Sequence, residues 1–132
     1  MIVAEIMTPY LITVGPTESA TMAAILMHDQ NIGAVPVVDN GKLQGIVTDR
    51  DIAIRVNIRK PGTSVPRVHQ VMTRQVITCT AYTEIEQAVL LMQRNQVRRL
   101  PVTDTGGALV GMLSSGDIAR ECALFLTGSM MH

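Results

Sequence analysis

The chain has 132 residues, eleven Lys and Arg against eleven Asp and Glu, and a hydrophobic fraction of 47%. That length suits one compact domain or two small ones sharing a core, and the balanced charge provides no long-range field to draw in nucleic acid or an anionic membrane. With one Phe, two Tyr and no Trp, aliphatic side chains and the nine Met must fill the core.

Cys79 and Cys122 stand far apart with no Cys-x-x-Cys pair, so neither a disulfide framework nor a zinc site is indicated. His28, His69 and His132 share no ligand spacing, so no metal is expected. Residues 1–8 carry Glu5 and no basic cluster, unlike a signal peptide, and no apolar run approaches the ~20 residues of a bilayer span. These features lead to the expectation of a cytoplasmic protein with reduced thiols.

In chain order, a short strand is expected at residues 11–14. A helix follows in which Ala20, Ala23, Ala24 and Met27 recur at i, i+3, i+4 and i+7, with Thr17 as its cap. It ends near Asn31. The next strand, at 34–38, is interrupted by Pro36, which places it at an edge or makes this a strand start. Asn40-Gly41 is a two-residue hairpin signal. It returns the chain through 42–47 into Gly45-Ile46-Val47-Thr48-Asp49-Arg50-Asp51 and a second helix over roughly 49–57. A polar linker bearing Pro and Gly covers 59–67.

The series then starts again. A strand is expected at 76–80, then a helix carrying Ile85, Ala88, Val89 and Met92, with Thr83 and Glu86 as a capping box. It ends near Gln96. The strand at 100–103 contains Pro101, the turn is Thr105-Gly106-Gly107, and the return strand at 108–113 runs into Gly111-Met112-Leu113-Ser114-Ser115-Gly116-Asp117. A last helix covers roughly 116–126, and the tail from 127 is expected to fray.

The two series keep one register. A shift of 65 positions lays Met7-Thr8 on Met72-Thr73 and Pro36-Val37 on Pro101-Val102; after Gly106 a shift of 66 lays Gly45, Asp51 and Ile52 on Gly111, Asp117 and Ile118. The sequence therefore divides into repeat 1 (1–58), a linker (59–67) and repeat 2 (68–132). The expected fold class is α/β (α+β), two tandem β-α-β-β-α repeats packed with pseudo-two-fold symmetry. Each repeat of about sixty residues is marginal alone, and burying a shared sheet face stabilises both.

Both repeats place a hydroxyl and an aspartate at a strand-to-helix junction. Thr48-x-x-Asp51 and Ser114-x-x-Asp117 fit a capping box, in which these groups satisfy orphan backbone donors. They also fit a polar ligand site, and the two roles are compatible. The glycine ahead of each junction, where backbone can approach closely, tips the balance toward a ligand.

The element order, the Met-Thr lead-in, the Val-Pro-Val-Val-Asp strand and the Gly-Ile-Val-Thr-Asp-Arg-Asp segment together resemble the CBS domain, a small repeat named after cystathionine β-synthase. Two in tandem resemble a CBS pair, or Bateman module, over residues 3–126. The resemblance implies a regulatory module rather than an enzyme, with no required cofactor. It implies adenosine-containing effectors such as AMP, ADP, ATP, NAD or S-adenosylmethionine, bound in clefts between the repeats. It also implies a disc-like homodimer and a regulated partner protein.

By the same resemblance, Thr48 and Asp51 form one ribose- and phosphate-binding set, and Ser114 and Asp117 the other. A carboxylate accepts hydrogen bonds from both hydroxyls of a ribose diol, and free N–H groups at a helix start suit phosphate. The adenine would rest among Ile12-Thr13 and Ala34-Val35-Pro36 in one set, and among Ile77-Thr78 and Arg99-Leu100-Pro101 in the other. Arg50 is placed to reach a phosphate while Asp49 repels one, and Arg98 and Arg99 add charge to the second set. The two sites are therefore expected to differ in affinity.

No catalytic constellation stands beside these sets: no Ser-His-Asp order, no Cys next to His and no Gly-x-x-x-x-Gly-Lys loop. Two alternatives stand beside a ligand sensor. One is a dimerising adaptor with vestigial clefts. The other is a nucleic-acid-binding regulator, disfavoured because Arg55, Arg59, Lys60 and Arg67 lack interleaved aromatics.

Overall fold

A computed structural model describes residues 1–9, 12–56, 62 and 64–130, with backbone alone over 125–130. The expected strand start at Leu11, the helix end at Asn57, and Arg59, Lys60 and His132 lie outside the described residues. The elements are a 3-10 turn at Val3–Glu5, then α1 (Ala20–Gln30), β1 (Ala34–Asp39), β2 (Lys42–Thr48), α2 (Asp49–Arg55) and α3 (Val68–Val71). They continue with α4 (Ile85–Asn95), β3 (Arg99–Thr103), β4 (Leu109–Ser114) and α5 (Ser115–Met130). The tail expected to fray is thus helical as far as Met130.

The compact units do not coincide with the sequence repeats. Unit 1 comprises Met1–Leu11 with Ile77–His132, and unit 2 comprises Ile12–Val76. Each repeat's lead-in is therefore built into the unit of the other repeat. Hydrophobic burial fixes this exchange. In unit 2, Val68 and Met72 lie in one core with Val14, Ala23, Met27, Val35, Val37 and Val47. In unit 1, Val3 lies in a core with Cys79, Ala88, Met92, Leu100, Val102 and Leu113. Val3 and Val68 are both fully buried, and each such side chain contributes about 2 kcal/mol.

Within unit 2, β1 and β2 form an antiparallel hairpin that turns at Asn40 (φ 52°) and Gly41 (φ 79°). These left-handed angles match the twist of the flanking strands, so Asn-Gly specifies the turn. Of the strand expected at 11–14, the described residues make one parallel bridge, Val14 to Val37. Val14 N–H donates to Pro36 O and Val38 N–H donates to Val14 O. The next rung would need an N–H at residue 36, and proline has none. Unit 1 repeats the device: Cys79 N–H donates to Pro101 O and Thr103 N–H to Cys79 O, and pairing stops. β1 is therefore flanked on both sides, with Pro36 marking where the parallel ladder ends rather than a free edge.

The helix ends follow the sequence more closely than the starts. Asn31 and Gln96 both take left-handed conformations, with φ of 53° and 54°, and close α1 and α4. At the start of α1 the cap is Ser19, whose Oγ accepts from Met22 N–H at 3.1 Å, and not Thr17. The capping box expected from Thr83 and Glu86 is not formed. Helix α4 begins after Glu84 with no side-chain cap, and Thr83 Oγ1 accepts from Thr80 N–H at 3.0 Å instead.

Candidate functional site

Both hydroxyl–aspartate junctions form reciprocal capping boxes. In unit 2, Asp51 N–H donates to Thr48 Oγ1 (3.1 Å) and Thr48 N–H donates to Asp51 Oδ2 (3.0 Å). In unit 1, Asp117 N–H donates to Ser114 Oγ (3.1 Å) and Ser114 N–H donates to Asp117 Oδ2 (2.9 Å). Each carboxylate is 8% exposed, the two buried charged residues among the described ones. One oxygen of each is committed to the backbone, so any ligand chemistry falls on the other.

That second oxygen is held differently in the two units. Thr73 Oγ1 donates to Asp51, and Arg55 Nε lies 3.9 Å from Asp51 Oδ1. In unit 1 the Arg120 Nη2 closes directly on Asp117 Oδ1. All three partners emerge only from the folded structure. Arg55 and Arg120 stand four and three positions after their aspartates, a spacing that puts them on the same helix face. Thr73 is 22 positions from Asp51 and carries no local signal.

The glycines of the repeated motif also play a different part. A Cβ on Gly45 would lie 2.7 Å from Thr73 O and 2.8 Å from Met72 Sδ, and one on Gly111 would lie 2.5 Å from Met7 Sδ and 3.2 Å from Thr8 O. The close approach inferred from these glycines is made by the exchanged Met-Thr lead-ins. Ile46 and Thr73 exchange two backbone hydrogen bonds there, as do Met112 and Thr8.

The remaining expected residues gather around each junction. Ala34 pairs in register with Thr48, and Arg99 with Ser114. Asp49 N–H donates to Gly33 O (3.0 Å) and Ser115 N–H to Arg98 O (2.8 Å), stitching each helix start to the loop before the strand. Ile12 and Thr13 precede the Val14 bridge, and Ile77 and Thr78 precede the Cys79 bridge. At each bridge the proline ends the parallel pairing short of Ala34 or Arg99. Strand alternation sends Val35 and Leu100 into the cores, and Pro36 and Pro101 are buried too. Those four residues can offer a base only main-chain contact. Arg50 and Asp49 are exposed, and Asp49 Oδ1 accepts from Arg50 N–H at 2.8 Å. Among the described residues no cluster of three or more His, Cys, Asp or Glu could hold a metal, and no helix is long and apolar enough to cross a membrane.

The CBS domain family model matches residues 3–57 and again 68–124. The chain belongs to the CBS domain family. A CBS domain-containing protein of Bacillus subtilis, YhcV, is 39% identical over 117 residues, covering 89% of this chain and 82% of that protein. An inosine-5'-monophosphate dehydrogenase of Thermoplasma acidophilum is 38% identical over 106 residues, 80% of this chain but 20% of the enzyme. Among solved structures, the CBS domain pair of protein MJ0100, in complex with 5'-methylthioadenosine and S-adenosyl-L-methionine, superposes with a TM-score of 0.83 at 31% identity, covering 93% of this chain and 96% of that one. CBSX2 in complex with AMP gives 0.84 at 29% identity, covering 94% and 97%. The tandem repeat is thus a CBS pair, and the likeness to the dehydrogenase extends to a fifth of that enzyme's length.

Proposed function

We propose that this CBS pair is a regulatory module that binds an adenosine-containing effector and passes its bound state to a partner protein. The observation that supports this reading is the twinned junction. In each unit a buried carboxylate and a hydroxyl sit at a helix start, beside a strand whose parallel pairing is cut short by proline. Asp51 or Asp117 accepts from a ribose diol through the oxygen not used in capping. The helix N–H groups and Thr48 or Ser114 face phosphate, and the main chain at Ala34 or Arg99 reads the base. Relatives of this fold solved with AMP, S-adenosylmethionine or methylthioadenosine make these effectors the first to try. A ligand that binds one arrangement of the molecule better than another shifts the population by its differential affinity.

Calorimetric titration with AMP, ATP, NAD and S-adenosylmethionine tests the reading. At least one is expected to bind and to raise the melting temperature, with Asp51→Ala and Asp117→Ala each removing one site. Unchanged affinity in the double variant would falsify it. The closed Asp117–Arg120 contact favours a second reading, an adaptor with vestigial sites, for which none of the four compounds moves the melting temperature.

A further inference from the structure

Unit 2 carries a cavity whose charge is one-sided. Its volume is about 470 Å3, and it is bordered by Arg55 at the end of α2 and by His69, Gln70, Thr73, Arg74 and Gln75 from α3 and the segment after it. The lining holds two guanidiniums, an imidazole and two carboxamides, and no carboxylate. Both guanidiniums are already oriented by main-chain carbonyls. Arg55 Nη1 donates to Val71 O (3.0 Å) and Met72 O (2.9 Å), and Arg74 Nη2 donates to His69 O (3.1 Å). A guanidinium has five N–H donors, so each keeps several. Asp51 offsets part of the Arg55 charge from 3.9 Å. Arg74 forms no ion pair among the described residues.

The internal repeat provides a control. In the register that aligns the two halves, His69, Gln70 and Arg74 fall on Ala4, Glu5 and Pro9, and Arg55 falls on Glu121. Unit 1 builds the same fold with no cation at any of these positions. The fold therefore does not demand the basic cluster.

We propose that this cavity binds a small phosphate anion of two or more charges, such as pyrophosphate, independently of the hydroxyl–aspartate junction of unit 1. Arginine presents a planar fork of donors matched to phosphate oxygens. Anchoring the forks before the anion arrives lowers the ordering cost of binding. The carboxamides of Gln70 and Gln75 supply further neutral donors.

Pyrophosphate titrated into the full chain, followed by calorimetry and by the His69 ring signals in NMR, tests the site. Saturable binding that shifts His69 but not His28 is expected. Arg74→Ala is expected to weaken it roughly tenfold, the scale of one charge-assisted hydrogen bond. Arg74 is exposed and its side chain bonds to one carbonyl, so the variant is expected to fold; Arg74→Lys should retain part of the affinity, and Asp117→Ala all of it. A titration that leaves His69 unmoved, or equal affinity in Arg74→Ala, overturns the proposal. Loss of binding in Asp117→Ala overturns its independence from the unit 1 junction.

Discussion

Thr73 Oγ1 donates to the Asp51 carboxylate, 3.3 Å from Oδ1 and 3.4 Å from Oδ2. Through this bond the lead-in of the second repeat supports the helix start of the first. The equivalent Thr8 is exposed and leaves Asp117 to Arg120. Thr73→Val should therefore cost about 1 kcal/mol of stability, the worth of one hydrogen bond to a buried group. Thr8→Val should be nearly neutral. Urea unfolding of the two variants checks the difference, and equal effects would contradict it.

Gly45→Ala is expected to destabilise more than Gly111→Ala. The Cβ at Gly45 meets a backbone oxygen at 2.7 Å as well as Met72 Sδ, whereas the tightest neighbour at Gly111 is the end of the Met7 side chain. A thioether can swing aside and a paired strand cannot. Overpacking of this kind costs about 1–3 kcal/mol, which denaturant midpoints will read.

Arg120→Ala should cost about 1–3 kcal/mol of stability, because the arginine is 73% exposed but its removal takes a partner from the buried Asp117 carboxylate. It should free Asp117 Oδ1 and strengthen adenosyl binding at unit 1. Calorimetry of AMP against the parent and the variant decides, and weaker binding would assign Arg120 to holding the ligand instead.

Burial pushes the Cys79 thiol up from 9.0 to about 11, while Cys122 is exposed. A thiol-reactive probe at neutral pH should label Cys122 in the folded chain and Cys79 only on unfolding, because the thiolate is the nucleophile. The raised value also sets a direction. Between pH 9 and about 11 the unfolded chain has lost this proton and the folded chain retains it, so stability falls as pH rises through that window. Cys79→Ser should flatten this alkaline loss in denaturant titrations at stepped pH.

Much of each unit was legible locally. Asn40-Gly41 specified its turn through φ, the apolar residues recurring at helical spacing on α1 and α4 specified a buried stripe, and Thr48 with Asp51 announced a helix start. The strands expected before α1 and α4 shrink to bridges in the structure because β-propensity says nothing of a proline in the neighbouring strand. The cap of α1 was misplaced by two residues because Thr17 and Ser19 satisfy the same local rule.

The sequence by itself determined that the protein is a repeat with a hydroxyl and a carboxylate at each strand-to-helix junction, since those features depend on spacing along the chain. Only the tertiary structure decided that Met72-Thr73 docks on Gly45 while Met7-Thr8 docks on Gly111. The lead-ins are nearly identical and so are the glycines that receive them, so local chemistry cannot tell one partner from the other. The choice is made by long-range burial of Val3 and Val68 in separate cores, and with it the different fates of Asp51 and Asp117.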